Sequence, residues 1–523
     1  MITDYARVVQ AGHSDPAKLL KEFGYATSIV AQREDVADSH LEARVWSLYS
    51  LLNQEHTSEQ IVSFFQAMVT VPECASFTER VFWLVVTGQD KQAAQLCKEA
   101  NQWTLKLALE KRSSPLVDET CRALARSEDL QAYEKGIYGF IGGDKESVFP
   151  LVSSWEARIV AIANCWKHGN MVSVDTELGT PSQSLYAIME AVLANQLEEY
   201  LAREGEAYQT YITRGVLDST QDNSRWIRVM AHFAILFQVP PSSEIFIKAY
   251  IEYLMIDEPF QYVEGYIQYL SPRDQVETYA SVLMRIDNTP DNRLLQLGIS
   301  KRYRLDLNAA VSLAVEYELK EYYEMPANPV RLEEHEQLPP VPPRDLELIE
   351  TLLWLETVQN WDSLILEINR LIRFWLLNGH LATVLEIPNR LEVKRAMNLS
   401  LLGEMAAERR ELAYHLELIA FFSMLNQQSQ DAAYGALIRV EEFEQYLRFT
   451  EHSTLREMYV PYGILKLAHL LQQLKLQTAL MGLAEKVSSE AVLGLFTRKA
   501  MHSLIEKFAS AVTTDPLKFT TTR

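Results

Sequence analysis

Eleven histidines and four cysteines are the side chains of this chain best suited to metal or nucleophilic chemistry, and their spacing argues against both. No His-Glu-x-x-His run occurs, and no two histidines stand four apart on an apolar helix, so none is placed to ligate zinc. Cys74, Cys97, Cys121 and Cys165 are each separated by more than twenty residues, without a Cys-x-x-Cys pair, and read as buried free thiols of a reducing compartment. Gly142-Gly143-Asp144 is the nearest approach to a phosphate loop. It lacks the lysine and hydroxyl residue that such a loop needs and reads as a turn between helices. Trp155, Glu156 and Arg158 could set a carboxylate against a cation beside an aromatic ring, although helix packing explains them as well. A metal-dependent helical enzyme would need clustered aspartates. Here Asp257-Glu258 stands beside Pro259 at a helix end, where charge is simply solvated. The reading is that there are no catalytic, cofactor-binding or metal residues, and no cofactor.

The elements around these residues are helices. Ile247, Tyr250, Ile251 and Leu254 recur at the 3/4 spacing of one helix face, and Val263, Tyr266, Ile267 and Leu270 repeat it after Pro259. Ser271-Pro272 predicts a third start, with the serine as cap and the proline in the first turn; Thr289-Pro290 predicts a fourth, and Asn308 a fifth. Farther along, Val460, Ile464, Leu467, Leu471 and Leu474 form one stripe, while Met458, Tyr462 and Leu465 form a second. A helix apolar on two faces is buried between layers or keeps one face for a partner. Only 19 glycines, about half the average share of ~7%, argue against a turn-dense β protein. The fold class expected is all-α: an irregular solenoid of stacked antiparallel helices without a fixed repeat, ending in a C-terminal helical domain.

A formal charge of −21 disfavours direct nucleic-acid binding, which needs a clustered positive field. The N-terminus lacks the basic-then-apolar order of a signal peptide, and no apolar run reaches the ~18 residues of a spanning helix, so a soluble cytoplasmic or nuclear chain is expected. Residues 325–344 hold six of the 19 prolines and an acidic cluster. This divides the chain into an N-terminal solenoid, 1–325, a proline-rich linker or loop, 326–344, and a C-terminal tail domain, 345–523. A loop between two helices that still pack together is the other reading of the same run.

Several stretches resemble the nucleoporin 107/84 family, α-helical scaffold components of the Y-shaped nuclear-pore subcomplex. They are ERVFWLVVTGQDKQAAQLCKEANQWTLKLAL from Glu79, SSWEARIVAIANCW from Ser153, RVMAHFAILFQ with IFIKAYIEYL and YIQYLSPRDQVETYASVLMRI between Arg228 and Ile286, then LIETLLWL, FWLLNGHLATVLEIPNRL, LREMYVPYGILKLAHLL and DPLKF. Their shared order, more than any one string, carries the likeness.

The resemblance implies a non-catalytic scaffold at the nuclear envelope that joins the stem of the Y to its stalk and so supports nucleocytoplasmic transport of protein and mRNA. It implies a nucleoporin-133-like partner at the C-terminal domain. Along the N-terminal half it implies a stem nucleoporin of the 96/145C type, in a region that the family usually extends further than this chain does. Leu493, Leu495, Phe496, Leu504, Ile505 and Phe508 are the candidate anchors for the first contact, or else they close the core of the tail domain. Two rival readings use the same helices: a vesicle-coat or tethering strut, and an acidic adaptor with a concave groove for peptides.

Overall fold

The computed structural model describes residues 2–11, 15–34, 37–53, 57–112, 114–169, 184–214, 224–237, 244–257, 262–325, 332, 338–401, 406–440, 453–488 and 490–514. Every regular element among them is helical, as the spacing predicts. The chain forms two compact units, Met1–Ser271 and Pro272–Arg523.

The first unit folds back on itself. Its opening helices, α1 (Ile2–Gln10), α2 (Pro16–Glu34) and α3 (Ala37–Leu52), are followed by α4 (Ser58–Gln66), α5 (Phe77–Val86), α6 (Asp90–Glu99), α7 (Trp103–Glu110), α8 (Pro115–Ala125) and α9 (Ala132–Gly142). After the single turn α10 (Lys145–Val148) the chain returns through α11 (Trp155–Lys167), α12 (Leu185–Leu193), α13 (Leu197–Arg214), α14 (Ser224–Phe237), α15 (Glu244–Asp257) and the short α16 (Glu264–Ile267). On the way back α11 lies against α4, α12 against α3, α14 against α2 and α16 against α1. An aromatic core joins the two runs: His232 of α14 lies 4.2 Å from the Tyr5 ring and 4.9 Å from Phe23, and Phe233 stacks on Trp46 at 4.3 Å.

Within that core His232 is fully buried. Its Nδ1 is 2.6 Å from the Arg228 carbonyl, which can only accept, so Nδ1 carries the proton and Nε2 accepts from the Tyr266 hydroxyl at 3.0 Å. Burial pushes the imidazole pKa down to about 3, against a pull upward from the Arg228 carbonyl bond. In the unfolded chain the ring titrates near ~6.5, so the unfolded state binds more protons between the two values. The contribution of His232 to stability is therefore complete above about pH 6.5 and is lost as the pH falls toward 3, with a slope approaching about 1.4 kcal/mol per pH unit. Urea midpoints measured from pH 7 down to 5 should fall in the wild type and fall less in His232→Asn; equal slopes would show that this ring does not set the acid sensitivity.

The second unit stacks in sequence order. It comprises α17 (Pro272–Leu283), α18 (Pro290–Tyr303), α19 (Leu307–Glu324), α20 (Pro343–Thr357), α21 (Trp361–Leu377), α22 (Leu381–Arg390), α23 (Val393–Leu399), α24 (Ala407–Asn426), α25 (Gln430–Ile438), α26 (Ser453–Gln473), α27 (Gln477–Val487), α28 (Glu490–Leu493) and α29 (Arg498–Thr514). Nearly all of its packing joins helices a few elements apart in the chain, the arrangement of a helical solenoid. Both stripes of α26 are buried except Leu474, which is half-buried just past the helix end, because α24, α25, α27 and α29 all pack against this helix. Of the two readings for that helix, burial between layers is the one realised.

Local starts follow the caps, with corrections. Thr289 accepts from the Asn292 amide and Pro290 opens α18 as expected. The cap of α19 is Asp306, not Asn308: its carboxylate takes the Ala309 amide and the helix begins two residues earlier than the sequence pattern suggests. Val263 to Leu270 forms only the turn Glu264–Ile267, since these side chains are buried from all sides and their spacing reflects burial, not one amphipathic face. Cys97, Cys121 and Cys165 are buried, and burial raises each thiol to about 11, whereas Cys74 is half-exposed and not buried as expected.

The proline-rich run falls inside the second unit, not between the units. Most of 326–344 lies outside the described residues, but the helices on either side of it touch. Arg344 pairs with Glu318 at 2.8 Å, Asn360 donates to Ser312 at 3.0 Å, and Tyr322 meets Phe374 edge-on. Of the two readings of that run, these contacts fit the loop between packed helices.

Candidate docking surfaces

At the C-terminal end α29 lies on α26 and α27. Thr497 caps it by accepting the Ala500 amide, and Leu504, Lys507 and Ala511, spaced by three and four, are its buried edge. This separates the six expected anchors. Leu504 is 1% exposed and belongs to the core; Ile505, next in sequence, points the other way and is 58% exposed. Phe508 sits half-buried on the shoulder of the helix, and Leu493, Leu495 and Phe496 are half-buried in the α28 turn that leads into it. Val492, beside them, is the residue that closes the core there.

A second surface, which the sequence reading does not single out, lies in the first unit. Trp103 and Leu107 stand four apart on one face of α7 and are 56% and 58% exposed. The Lys106 ammonium lies 5.4 Å from the Trp103 ring. An exposed tryptophan is the side chain typical of an interface anchor, because indole buries much area at small entropic cost, and Leu107 extends the apolar patch beside it. The only sequence signal was the Trp-x-x-x-Leu spacing, which serves a core stripe equally well.

The elements beneath α7 hold it firmly. Arg112 grips Asp90 at the start of α6 with two bonds of 2.8 and 2.9 Å and reaches Asn164 Oδ1 at 3.2 Å, with its guanidinium 5.2 Å from the Phe140 ring. Asn164 in turn donates to the Phe140 carbonyl. Next to this, α8 and α9 approach so closely that a Cβ on Gly142 would lie 2.8 Å from the Arg122 amide nitrogen; Gly143 then ends α9 at a φ of 70°. Arg122 closes the gap by donating to the Gly142 carbonyl, and Arg126 pairs with Asp144 at 2.9 Å. Gly142-Gly143-Asp144 is thus a helix end, as expected. Trp155 and Glu156 are packing residues too: Trp155 donates to Glu190 at 2.7 Å and Glu156 accepts from Tyr186. His168 faces Asp118 at 3.1 Å, and burial lowers its pKa against the opposing effect of that carboxylate.

Among the described residues no group of three His, Cys, Asp or Glu side chains could hold a metal ion, and no helix is long and apolar enough to cross a membrane. Two irregular stacks of helices, each with large apolar side chains exposed, are the architecture of an irregular α-helical solenoid protein. The sequence model of the family described as nuclear pore protein 84/107 matches residues 75–168 and 172–452, and the chain belongs to that family. It is similar to nucleoporin nup107 of Schizosaccharomyces pombe, with 26% identity over 377 residues, covering 60% of this chain and 46% of that relative. The chain thus spans about half the length of the curated relative. Membership places the chain among the nuclear pore proteins.

Proposed function

We propose that the chain is a connecting strut of the Y-shaped subcomplex, joining stem to stalk. Its first unit binds a 96/145C-like stem nucleoporin through the Trp103–Leu107 face, and its C-terminal helices bind a nucleoporin-133-like subunit. The observation that carries this reading is the family match running through both units, each with exposed apolar residues of its own. A stable linkage of this kind buries about 1,200–2,000 Å², with a few large side chains dominating.

The reading is tested with the whole chain and the two partners purified separately. The double variant Trp103→Glu/Leu107→Glu should lose at least about tenfold in affinity for the stem subunit while keeping the 133-like one, a loss in the range expected when an interface anchor is removed. Ile505→Asp should do the reverse. Ile505 is a cleaner probe than Phe508, because Phe508→Asp also places a charge against the helix core. Circular dichroism should be unchanged in both variants. If each variant leaves both affinities intact, these surfaces are not the joints.

A further inference from the structure

One place in the first unit is short of positive charge. There α3, α12 and α14 meet at their C-terminal ends and α13 begins. Tyr49, Asn53, Asn195, Glu198, Glu199 and Phe237 stand around a cavity of about 440 Å³ between them, toward the small end of the range that holds ligands. Each helix C-terminus carries the negative end of its dipole, equivalent to roughly half a charge, and a lysine or arginine in the last turn is favoured there. None of these three helices has one. Glu198 and Glu199, exposed in the first turn of α13, suit the positive end of their own helix, but they bring two carboxylates to a cavity that three negative ends already border. No basic residue lines it. The cations of the surrounding helices do not fill the gap: Arg203 turns to Glu204 at 3.3 Å and lies 5.3 Å from the Tyr200 ring, while Lys18, Lys21 and Arg44 are not among the lining residues.

The walls suit a flat cation. Tyr49 and Phe237 offer two half-buried aromatic rings, edge to face with centroids 5.7 Å apart. Asn53 gives its amide N–H to the Tyr49 carbonyl at 2.9 Å, which leaves its side-chain oxygen to accept. Asn195 is exposed in the left-handed turn between α12 and α13, at a φ of 55°. A guanidinium stacks on such rings and donates along its plane to several oxygens at once, whereas an ammonium is a compact charge that holds its water strongly. We infer that this cavity takes the arginine side chain of a partner polypeptide, with Glu198 and Glu199 as its counter-ions.

The probe is acetyl-Gly-Arg-Gly-amide, titrated against the whole chain by saturation-transfer NMR. Beside it run the same tripeptide with citrulline, which keeps the planar end and loses the charge, and the same with lysine. The arginine peptide should bind at least about tenfold more tightly than the citrulline one, the difference expected of hydrogen bonds to a charged group, and more tightly than the lysine one. Glu198→Gln/Glu199→Gln should weaken it by about tenfold. Phe237→Leu, which keeps an apolar wall but not the ring, should weaken it several-fold. Glu316→Gln/Glu324→Gln, the same loss of charge at exposed residues of α19, should change nothing. Thermal midpoints establish that each variant is folded. If the arginine peptide does not bind, or the citrulline peptide binds as well, the cavity selects no cation and the inference fails. It fails too if the α19 pair weakens binding as much as the α13 pair, because the peptide is then drawn by the overall charge of −21 and not by the cavity. Equal binding of the lysine peptide would overturn the assignment to a guanidinium.

Discussion

Arg228→Met should destabilise the first unit by about 3–5 kcal/mol, because it strands the Glu42 carboxylate in the core. Glu42 is 0% exposed. Arg228 holds it with Nε at 2.9 Å from one oxygen and Nη2 at 2.5 Å from the other, across 186 residues of sequence. The Tyr5 hydroxyl donates to the same carboxylate at 2.9 Å, and the Trp46 indole donates to that hydroxyl at 2.7 Å. Burial works to lower the Arg228 pKa, and the Glu42 carboxylate more than offsets it, so the guanidinium is held above its ordinary value. Removing one charge leaves the other desolvated and unpaired. Removing both, in Glu42→Leu/Arg228→Met, should recover much of the loss, since a buried pair earns little over an apolar one of similar volume. Urea unfolding of the whole chain followed by circular dichroism reads both effects. A single variant that unfolds within about 1 kcal/mol of the wild type would show that water reaches the carboxylate.

In the second unit Trp375→Ala should cost about 3–5 kcal/mol and Trp375→Phe much less. Trp375 is fully buried in α21, whose C-terminal turn is pinned to α26 by the Tyr459 hydroxyl donating to the Leu376 carbonyl at 2.6 Å. Alanine there leaves a cavity the size of an indole between helices that are themselves held in place, so collapse is limited. Among the described residues the Trp375 Nε1 finds no hydrogen-bond partner. Phenylalanine removes that unpaired donor, worth about 1–3 kcal/mol when buried, and the gain offsets part of the lost volume. Equal losses for the two variants would mean that the indole N–H is solvated after all.

Helix type and many boundaries were legible because they depend on neighbours in sequence. The Thr289-Pro290 start, where Thr289 caps α18 by accepting the Asn292 amide, is decided within four residues. Scarce glycine also pointed to helices, although the turns exact a cost for it: Asn101, Asn195, Arg304, Gln359, Gln428 and Lys475 all take the left-handed conformation where glycine is favoured. What sequence could not give was contact between distant segments. Nothing local marks Glu42 and Arg228 as partners. Periodicity names the apolar residues of α29 and α7 but not which face is covered, so Leu504 and Ile505 looked alike and nothing set Trp103 apart. The two readings of the proline run stayed open for the same reason: the run is visible in sequence, and the packing of α19 on α20 around it is not.

The return of α11–α16 along α1–α4 has a consequence for biosynthesis. Tyr5, Phe23 and Trp46 leave the ribosome some two hundred positions before His232 and Phe233, the residues that cover them. Until then an apolar surface with a buried-type carboxylate at its centre stays open, so the nascent chain needs shelter through most of the synthesis of its first unit. The second unit, in which each helix meets partners made shortly before it, can condense as it emerges.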